Sequence, residues 1–546
     1  MKAKTVIYGA YFALKLWFYR KIKGKKSRPE KKFHFNCPIF FNSQIQIALN
    51  HHRIIKLPMV EPDISELTGI SNIFDDDWTR TIYSVDASHC CVKPMAVNFP
   101  SDKFEIQKIC SYAYSRDIPI TCRGAGTGLL GQSLSSGIIM DFTKKMNKIL
   151  EIGNNYVIAQ PGVVKAVLDK ELAKKGKFLP PDPASSNYCT IGGMLSNNSS
   201  GPHGLGYGSM INYVQNVEVV YGSGMLGYAD CNEYDEKVSK MLRFISSLNV
   251  DLKSYYPNVN KNSSGYRLDA IFEKNKVNPQ KIFIASEGSL AVVTSSKVAI
   301  LDIPEKKCLV ILRFENILDA AMAVPSILEH KPVAMELLDR GSILEGWRGG
   351  DSVDSNACIM FVEFYGNDNS IYDKVSNFEL AMRDRVKILE SGYDQKSVDR
   401  AWNERKNSLN SAMKKGMGSR KPAGIIEDTV VHPDILYYYL IFLLKALAKH
   451  NLDYVVYGHA GNGNLHLRPF MELGSSRSDS LMHVLASEVF SYITKVRGSI
   501  SGEHGDGMIR TKFVPLMYGR TMYDVFKQIK FIFDDKKIMN PGKKVM

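Results

Sequence analysis

Arg123-Gly-Ala-Gly-Thr-Gly-Leu-Leu-Gly-Gln-Ser133 is the stretch whose reading decides the fold. Its glycines let backbone N–H groups approach a pyrophosphate with no side chain in the way. Gly126-Thr-Gly-Leu-Leu-Gly131 matches GxGxxG, and Glu151 lies twenty residues beyond Gly131, so a Rossmann dinucleotide unit is one alternative. That fingerprint must open a crossover helix of about a dozen residues before the next strand. Here only Gln132 to Ser136 separate Gly131 from the apolar run Gly137-Ile-Ile-Met-Asp-Phe142. No helix fits, so the glycines must bridge two strands directly. A plain glycine-rich turn is the other alternative, and Arg123 beside so many glycines argues against it.

Around this loop, residues 92–100, 118–122, 137–142 and 157–161 read as short apolar strands, with helices near 102–116 and 163–175 between them. Residues 180–225 are dense in Gly, Ser, Asn and Pro, which predicts a long structured loop of the functional kind. Strand-like runs recur at 216–221, 281–285 and 291–300. From 307 the pattern becomes CLVILRFE, a helix near 317–329, VAMELLD and CIMFVEFYG, the alternation of a second α+β domain. Helices dominate 434–450 and 478–496.

Two more glycine-bearing stretches follow the first in order. Pro180-Pro-Asp-Pro-Ala-Ser-Ser-Asn187 leads into Thr190-Ile-Gly-Gly-Met-Leu-Ser-Asn-Asn-Ser-Ser-Gly201, and Ser286-Glu-Gly-Ser-Leu-Ala-Val-Val-Thr294 is a turn entering a strand. Gly192 and Gly193 permit close backbone approach. Asn197, Asn198, Ser199 and Ser200 offer short hydrogen-bonding groups suited to a polar ring edge or a ribityl chain. Each stretch alone is weak; their order and spacing are not.

The 546 residues imply two or three domains, and the composition is that of an ordinary globular protein. Net charge is +14, but residues 1–32 hold eleven Lys and Arg against one Glu, so the remaining body is close to balanced. A balanced body excludes the basic, aromatic-interleaved stripes of a nucleic-acid binder. None of the nine cysteines forms a CxxC pair, which excludes an ordinary Cys-ligated iron–sulfur cluster or zinc ribbon and fits a reducing, cytoplasmic compartment. The apolar run Val6 to Tyr19 precedes a basic run. It is shorter than the roughly 20 residues a membrane span needs. Two readings stand: a docked or disordered extension, or a peripheral anchor at the inner face of a membrane.

The chemistry-bearing segments lie late in the chain. In Tyr457-Gly-His-Ala-Gly-Asn-Gly-Asn-Leu-His-Leu-Arg-Pro469 the two histidines are seven apart and cannot share a helix face, but two strands joined by the AGNG turn bring His459 and His466 together. Strand alternation puts His466 and Arg468 on one face. Ser501-Gly-Glu-His-Gly-Asp-Gly507 adds Glu503 and His504. Two His and one Glu form a ligand set with positions left open for substrate.

With these motifs in view, the chain resembles the FAD domain of the vanillyl-alcohol-oxidase and p-cresol-methylhydroxylase (PCMH) superfamily. Within it the chain looks like the FAD-linked D-2-hydroxyacid dehydrogenases: D-lactate dehydrogenase, glycolate oxidase flavin subunit and D-2-hydroxyglutarate dehydrogenase. RGAGTGLLGQ, PPDPAS, TIGGMLSNNSSG, SEGSLAVVT and the ending Met539-Asn-Pro-Gly-Lys543 carry the resemblance, which runs from about residue 75 onward. It implies an α+β protein in which a two-subdomain PCMH-type domain at 75–302 holds FAD. An α+β substrate cap with the metal site spans 303–515, residues 516–546 return to the FAD domain, and 1–74 are a basic extension. The implied FAD contacts are Arg123, Gly124, Ala125, Gly126, Thr127, Gly128, Gly131, Gln132 and Ser133 in the first loop. Pro181, Asp182, Ser185, Gly192, Gly193, Asn197, Ser199 and Gly201 follow in the second, with Glu287, Gly288, Val293 and Asn540 beyond. No histidine in the phosphate loop suits covalent attachment, so FAD is expected to be non-covalent. The resemblance makes His459, His466 and Glu503 ligands of a divalent metal, zinc or manganese, and His504 the general base. Arg405, in Trp402-Asn-Glu-Arg-Lys406, matches the cation for the substrate carboxylate, and Arg468 is a second candidate by alternation.

Two departures stand out. The family commonly has Asp where this chain has Asn462. It commonly has Lys two residues before the Asp of the strand expected at 425–430, where this chain has Ile426-Glu427-Asp428, with Lys421 as a substitute. HLRP and EHGDG resemble the branch fused to an iron–sulfur region, so a separate acceptor, an iron–sulfur subunit or quinone, is expected. Two other classes compete: a metal-dependent hydrolase built on His459, His466 and Glu503, which leaves the glycine-rich stretches unexplained, and a non-catalytic FAD-binding subunit.

Overall fold

The computed structural model describes residues 72–273, 276–342, 357–414, 419–473 and 476–546. The expectations for the N-terminal apolar and basic runs fall outside the described residues. The fold is a mixture of helix and sheet organised around three main sheets.

The first sheet has four strands in the order Ile73–Phe74, Ala96–Asn98, Ile138–Asp141, Ile120–Arg123. The last three run parallel. Helix Lys103–Ser115 starts where the Asp102 side chain accepts the Glu105 N–H, and it buries Ile106, Ile109, Cys110 and Ala113 against the sheet. No helix of crossover length joins strand Ile120–Arg123 to its parallel neighbour Ile138–Asp141; the glycine loop does. The spacing argument therefore holds, and the loop is not a Rossmann turn.

The second sheet is antiparallel, in the order Ile149–Ile152, Tyr156–Ala159, Val292–Ala299, Val214–Val220, Leu226–Asp230. Alternating burial along Val292–Ala299 is the mark of a strand with one face on the core. The third sheet is antiparallel with eight strands. At its centre Cys358–Gly366 pairs with Lys306–Phe314 and Ala334–Leu338, and Ala334–Leu338 pairs in turn with Tyr454–His459. Tyr454–His459 and Asn464–Met471 form the predicted hairpin. Helices Ile317–Leu328, Leu436–Lys449 and Ser476–Lys495 accompany this sheet, close to where the apolar periodicity put them.

Two expectations need correction. Residues 281–285 are not a strand: Pro279–Phe283 is a 3-10 helix with Pro279 in its first turn, where the ring's fixed φ favours helical entry. The strand expected at 425–430 shrinks to Thr429–Val430, because Asp428 sits at φ +65, outside the extended region.

Helix Val514–Phe533 breaks at Gly519 (φ +73), and the chain then returns to the first sheet. Ile120 N–H donates to the Ile538 carbonyl (2.8 Å), Asn540 N–H donates to the Ile120 carbonyl (2.7 Å), and Ile538 and Met539 join the core around Ile106 and Ile120.

Candidate active site

The hairpin sets the site. Tyr457 lies opposite His466 in the pairing, and His459 ends one strand as Asn464 begins the next. Gly463 at φ +64 makes the turn possible. His459 Nε2 and His466 Nε2 come to 3.5 Å, and Glu503 Oε1 lies 3.0 Å from the first and 3.6 Å from the second. An ion with bonds of about 2.1 Å in tetrahedral geometry spaces its donors about 3.4 Å apart. These three atoms therefore fit one divalent ion with a position to spare.

Each ring is fixed from behind. His459 Nδ1 bonds Glu336, His466 Nδ1 meets Glu427 Oε2 at 3.1 Å, and His504 Nδ1 meets Glu427 Oε1 at 2.7 Å. A carboxylate on Nδ1 leaves Nε2 to face a ligand, the usual support of a metal-binding histidine. Both glutamates are fully buried. Burial alone would raise their pKa values, but the charges of His459 and Arg405 hold Glu336 down at about 2, and those of His504 and Arg468 hold Glu427 well below the usual range.

Asp428 also comes near, and one oxygen or ring nitrogen each from Asp428, His466, Glu503 and His504 lies within 4.8 Å of the others. Its carboxylate is already engaged: it accepts from the backbone N–H of Glu503 and His504 and from the Ser501 hydroxyl at 2.9 to 3.2 Å. We therefore assign it to holding the 501–504 turn and keep His459 in the ligand set.

Arg405 and Arg468 both line the cluster, yet each guanidinium pairs with a glutamate: Arg405 with Glu336, Arg468 with Glu427 at 3.1 Å. Their Nε atoms have no hydrogen-bond partner among the described residues. The Asn462 amide is 1% exposed with neither polar atom bonded among the described residues, an orphan of the kind a bound molecule satisfies. Lys421, the proposed substitute cation, sits exposed at the sheet edge.

The glycine loops converge beside this cluster. Gly126 (φ +67) and Gly131 (φ +78) need glycine's freedom, and a Cβ on Gly124 would lie 2.3 Å from Thr190 Oγ1, so the first and second loops touch. Thr190 caps the short helix Ile191–Asn197, and its side chain accepts the Gly193 N–H. A Cβ on Gly128 would meet the Asn197 amide at 4.0 Å. Ala125, Thr127, Gly193, Asn197 and Ser199 are half-buried in these two loops. Asn540 joins three stretches: its Oδ1 accepts from Thr121, and its Nδ2 donates to the Gln132 and Glu287 carbonyls. Gln132 donates to the His504 carbonyl, linking the first glycine loop to the 501–507 turn.

Several predicted cofactor contacts spend their side chains on the protein. Arg123 donates to the Val85 carbonyl (2.8 Å) and Ser133 to Asp86 (3.1 Å). Glu287 accepts from the Asp506 and Gly507 N–H groups. Asp182 pairs with His203 Nδ1 (2.6 Å). Gly192 packs on Pro161 and Gly201 on Asp182, while Gly288 faces Cys122. Pro181 is buried and Ser185 sits in the turn before Cys189. Val293 pairs with Val219 in the second sheet.

Sequence reasoning missed Glu336, Lys261, Arg510 and Lys544. Glu336 was visible as the acid inside the apolar run VAMELL. The two lysines and Arg510 lie in segments without periodicity and gave no signal.

Residues 94–227 match the FAD binding domain, and residues 303–544 match the C-terminal domain of FAD linked oxidases. The chain is 28% identical, over 85% of its length, to D-2-hydroxyglutarate dehydrogenase of Pseudomonas putida, but spans only 49% of that protein. It is 28% identical to the glycolate oxidase subunit GlcD of Bacillus subtilis, with 89% of this chain and 96% of that one covered. D-lactate dehydrogenase of Archaeoglobus fulgidus is 27% identical over 88% of this chain and 99% of its own. The solved structure of alkyldihydroxyacetonephosphate synthase shares the fold at 16% identity, with a TM-score of 0.59 over 96% of this chain and 88% of that one. The chain therefore carries, in this order, a segment matching the FAD binding domain and a segment matching the C-terminal domain of FAD linked oxidases.

Proposed function

We propose that the chain oxidises a small D-2-hydroxy acid, of the lactate, glycolate or 2-hydroxyglutarate class, to the 2-oxo acid. The observation that carries this is the His459–His466–Glu503 convergence tied to the cofactor loop through Gln132 and the 503–507 turn. FAD held non-covalently by the glycine loops would supply a two-electron sink, and a zinc or manganese ion on the three ligands would supply charge that favours the ionised hydroxyl.

This chain's residues do the rest. Glu427 on His504 Nδ1 leaves Nε2 as the atom that takes the hydroxyl proton. Arg405 and Arg468 put positive charge beside the cluster to hold the substrate carboxylate, and the buried Nε of each has no hydrogen-bond partner among the described residues. One C–H and one O–H bond of the substrate would break: His504 would take the proton, and FAD, when bound, would supply the acceptor for the hydride and its electron pair. A separate acceptor, an iron–sulfur subunit or a quinone, would take the two electrons onward. No helix among the described residues is long and apolar enough to cross a membrane; peripheral contact through the basic N-terminal run is the part of this reading that concerns location.

The test is anaerobic bleaching of the flavin band near roughly 450 nm by a panel of D- and L-2-hydroxy acids, with and without EDTA. We expect a D-acid to bleach it and EDTA to slow it. Protein that takes up no FAD, or FAD that no 2-hydroxy acid reduces, would overturn the proposal. A hydrolase built on the same ligands would need no flavin, and a non-catalytic subunit would show no bleaching.

A further inference from the structure

We infer that Lys261 is a positioning residue that holds Glu503 as a one-oxygen ligand and thereby selects which cation the histidine pair accepts. The inference rests on the metal-site reading above. Lys261 lies in the cofactor half of the chain, yet its ammonium is 3.3 Å from Glu503 Oε2 and 3.2 Å from the Gly201 carbonyl. Its side chain is 1% exposed.

The two oxygens of Glu503 face opposite ways. Oε1 meets the histidines and Oε2 meets the ammonium. The ammonium is held on the other side as well. Gly201 is at φ +141, and a Cβ there would lie 2.4 Å from the Asp182 carbonyl, so its peptide has little latitude. Gly204 leaves room for the lysine stem, since a Cβ there would come 2.9 Å from Lys261 Cε. Ser263 N–H donates to the Ser501 carbonyl and Ser263 Oγ to the Gly502 carbonyl, both at 2.9 Å, so the lysine loop runs in register with the segment bearing Glu503.

The pairing pattern sharpens the point. Glu336 is met by Arg405, Glu427 by Arg468 and Asp506 by Lys544. Glu503 follows the same division, since Lys261, a point charge, takes Oε2 and leaves Oε1 to the histidines. For Glu503 to chelate through both oxygens, Lys261 would have to give up its buried ion pair. Calcium and similar large cations use such chelation, whereas zinc is content with one oxygen and two nitrogens. The lysine therefore biases the site toward a small four-coordinate ion.

The test uses FAD-loaded full-length protein stripped with a chelator, then titrated with zinc, manganese and cobalt. Wild type, Lys261→Gln, Lys261→Arg and His459→Ala are compared, with bound metal measured by elemental analysis and cobalt bands read for coordination number. Wild type should bind one zinc that His459→Ala abolishes. In Lys261→Gln, zinc affinity should fall about 10- to 100-fold, the zinc-to-manganese preference should narrow, and the cobalt bands should weaken toward five-coordination. Unchanged preference and cobalt spectrum in a Lys261→Gln variant that keeps its flavin would overturn the inference while leaving the metal site intact. Should that variant not fold, Lys261→Arg decides: its fork competes for Oε1, so zinc affinity must drop, and unchanged affinity counts against the inference. If wild type binds no zinc that His459→Ala removes, the metal-site reading itself falls.

Discussion

His504 shows how a single ring is tuned by its neighbours. Burial alone would pull its pKa down, but the charges of Glu427 and Asp428 and the bond to Glu427 lift it to about 9. A neutral-range base was expected from the sequence; in this geometry the ring holds its proton at neutrality until positive charge arrives beside it. A base works only when deprotonated, so the rate of flavin reduction should rise with pH along a limb whose apparent pKa lies at or below about 9. His504→Gln should abolish that limb and slow reduction by about 10²- to 10⁴-fold, with flavin and metal content unchanged; stopped-flow absorbance checks both. At this scale the sequence was most legible where residue types repeat at diagnostic spacings, as in His459, His466 and Glu503. It was silent about Lys261, whose partner lies 242 positions away and whose own segment has no pattern.

The hairpin Tyr454–Met471 was legible because the strand period and the turn chemistry agreed. The segments around Asp428, Glu287 and Asn540 were not, because each is a non-glycine residue held at positive φ (65°, 54° and 42°). Such conformations are sustained by surrounding contacts rather than by local preference. Asp428 is kept there by accepting from Ser501, Glu503 and His504. Gly463 offers the clearest test of an element. It sits at φ +64, and a Cβ on it would lie 1.9 Å from the Val431 carbonyl. Gly463→Ala should cost at least about 2 kcal/mol of stability in urea unfolding, and the surviving folded fraction should lose bound metal because His459 and His466 flank the turn. A variant as stable and as metal-loaded as wild type would contradict this account of the hairpin.

Across the whole molecule, the segment matching the FAD binding domain and the one matching the FAD linked oxidases' C-terminal domain meet at His203. Its Nδ1 bonds Asp182 and its Nε2 meets Glu363 Oε2, each at 2.6 Å, while Trp402 donates to the same Glu363 oxygen. Burial pulls the pKa of His203 down, and the two carboxylates more than offset it, raising it to about 10. The unfolded value is about 6.5. A group with a raised folded pKa stabilises fully below the unfolded value and loses that contribution as pH climbs through the folded one. Wild type should therefore lose stability between pH 6.5 and about 10, and His203→Gln should show a flatter decline in Tm over that window. Equal slopes would mean the bridge contributes nothing.

The position of Asn540 has a practical corollary. Its side chain spans partners more than four hundred positions upstream, at Thr121 and Gln132, and another at Glu287. Anyone dissecting the polypeptide near residue 302 to obtain a minimal flavin module would discard the clamp that ties those stretches together. Such a fragment should recover its chromophore only when the missing half is supplied in trans.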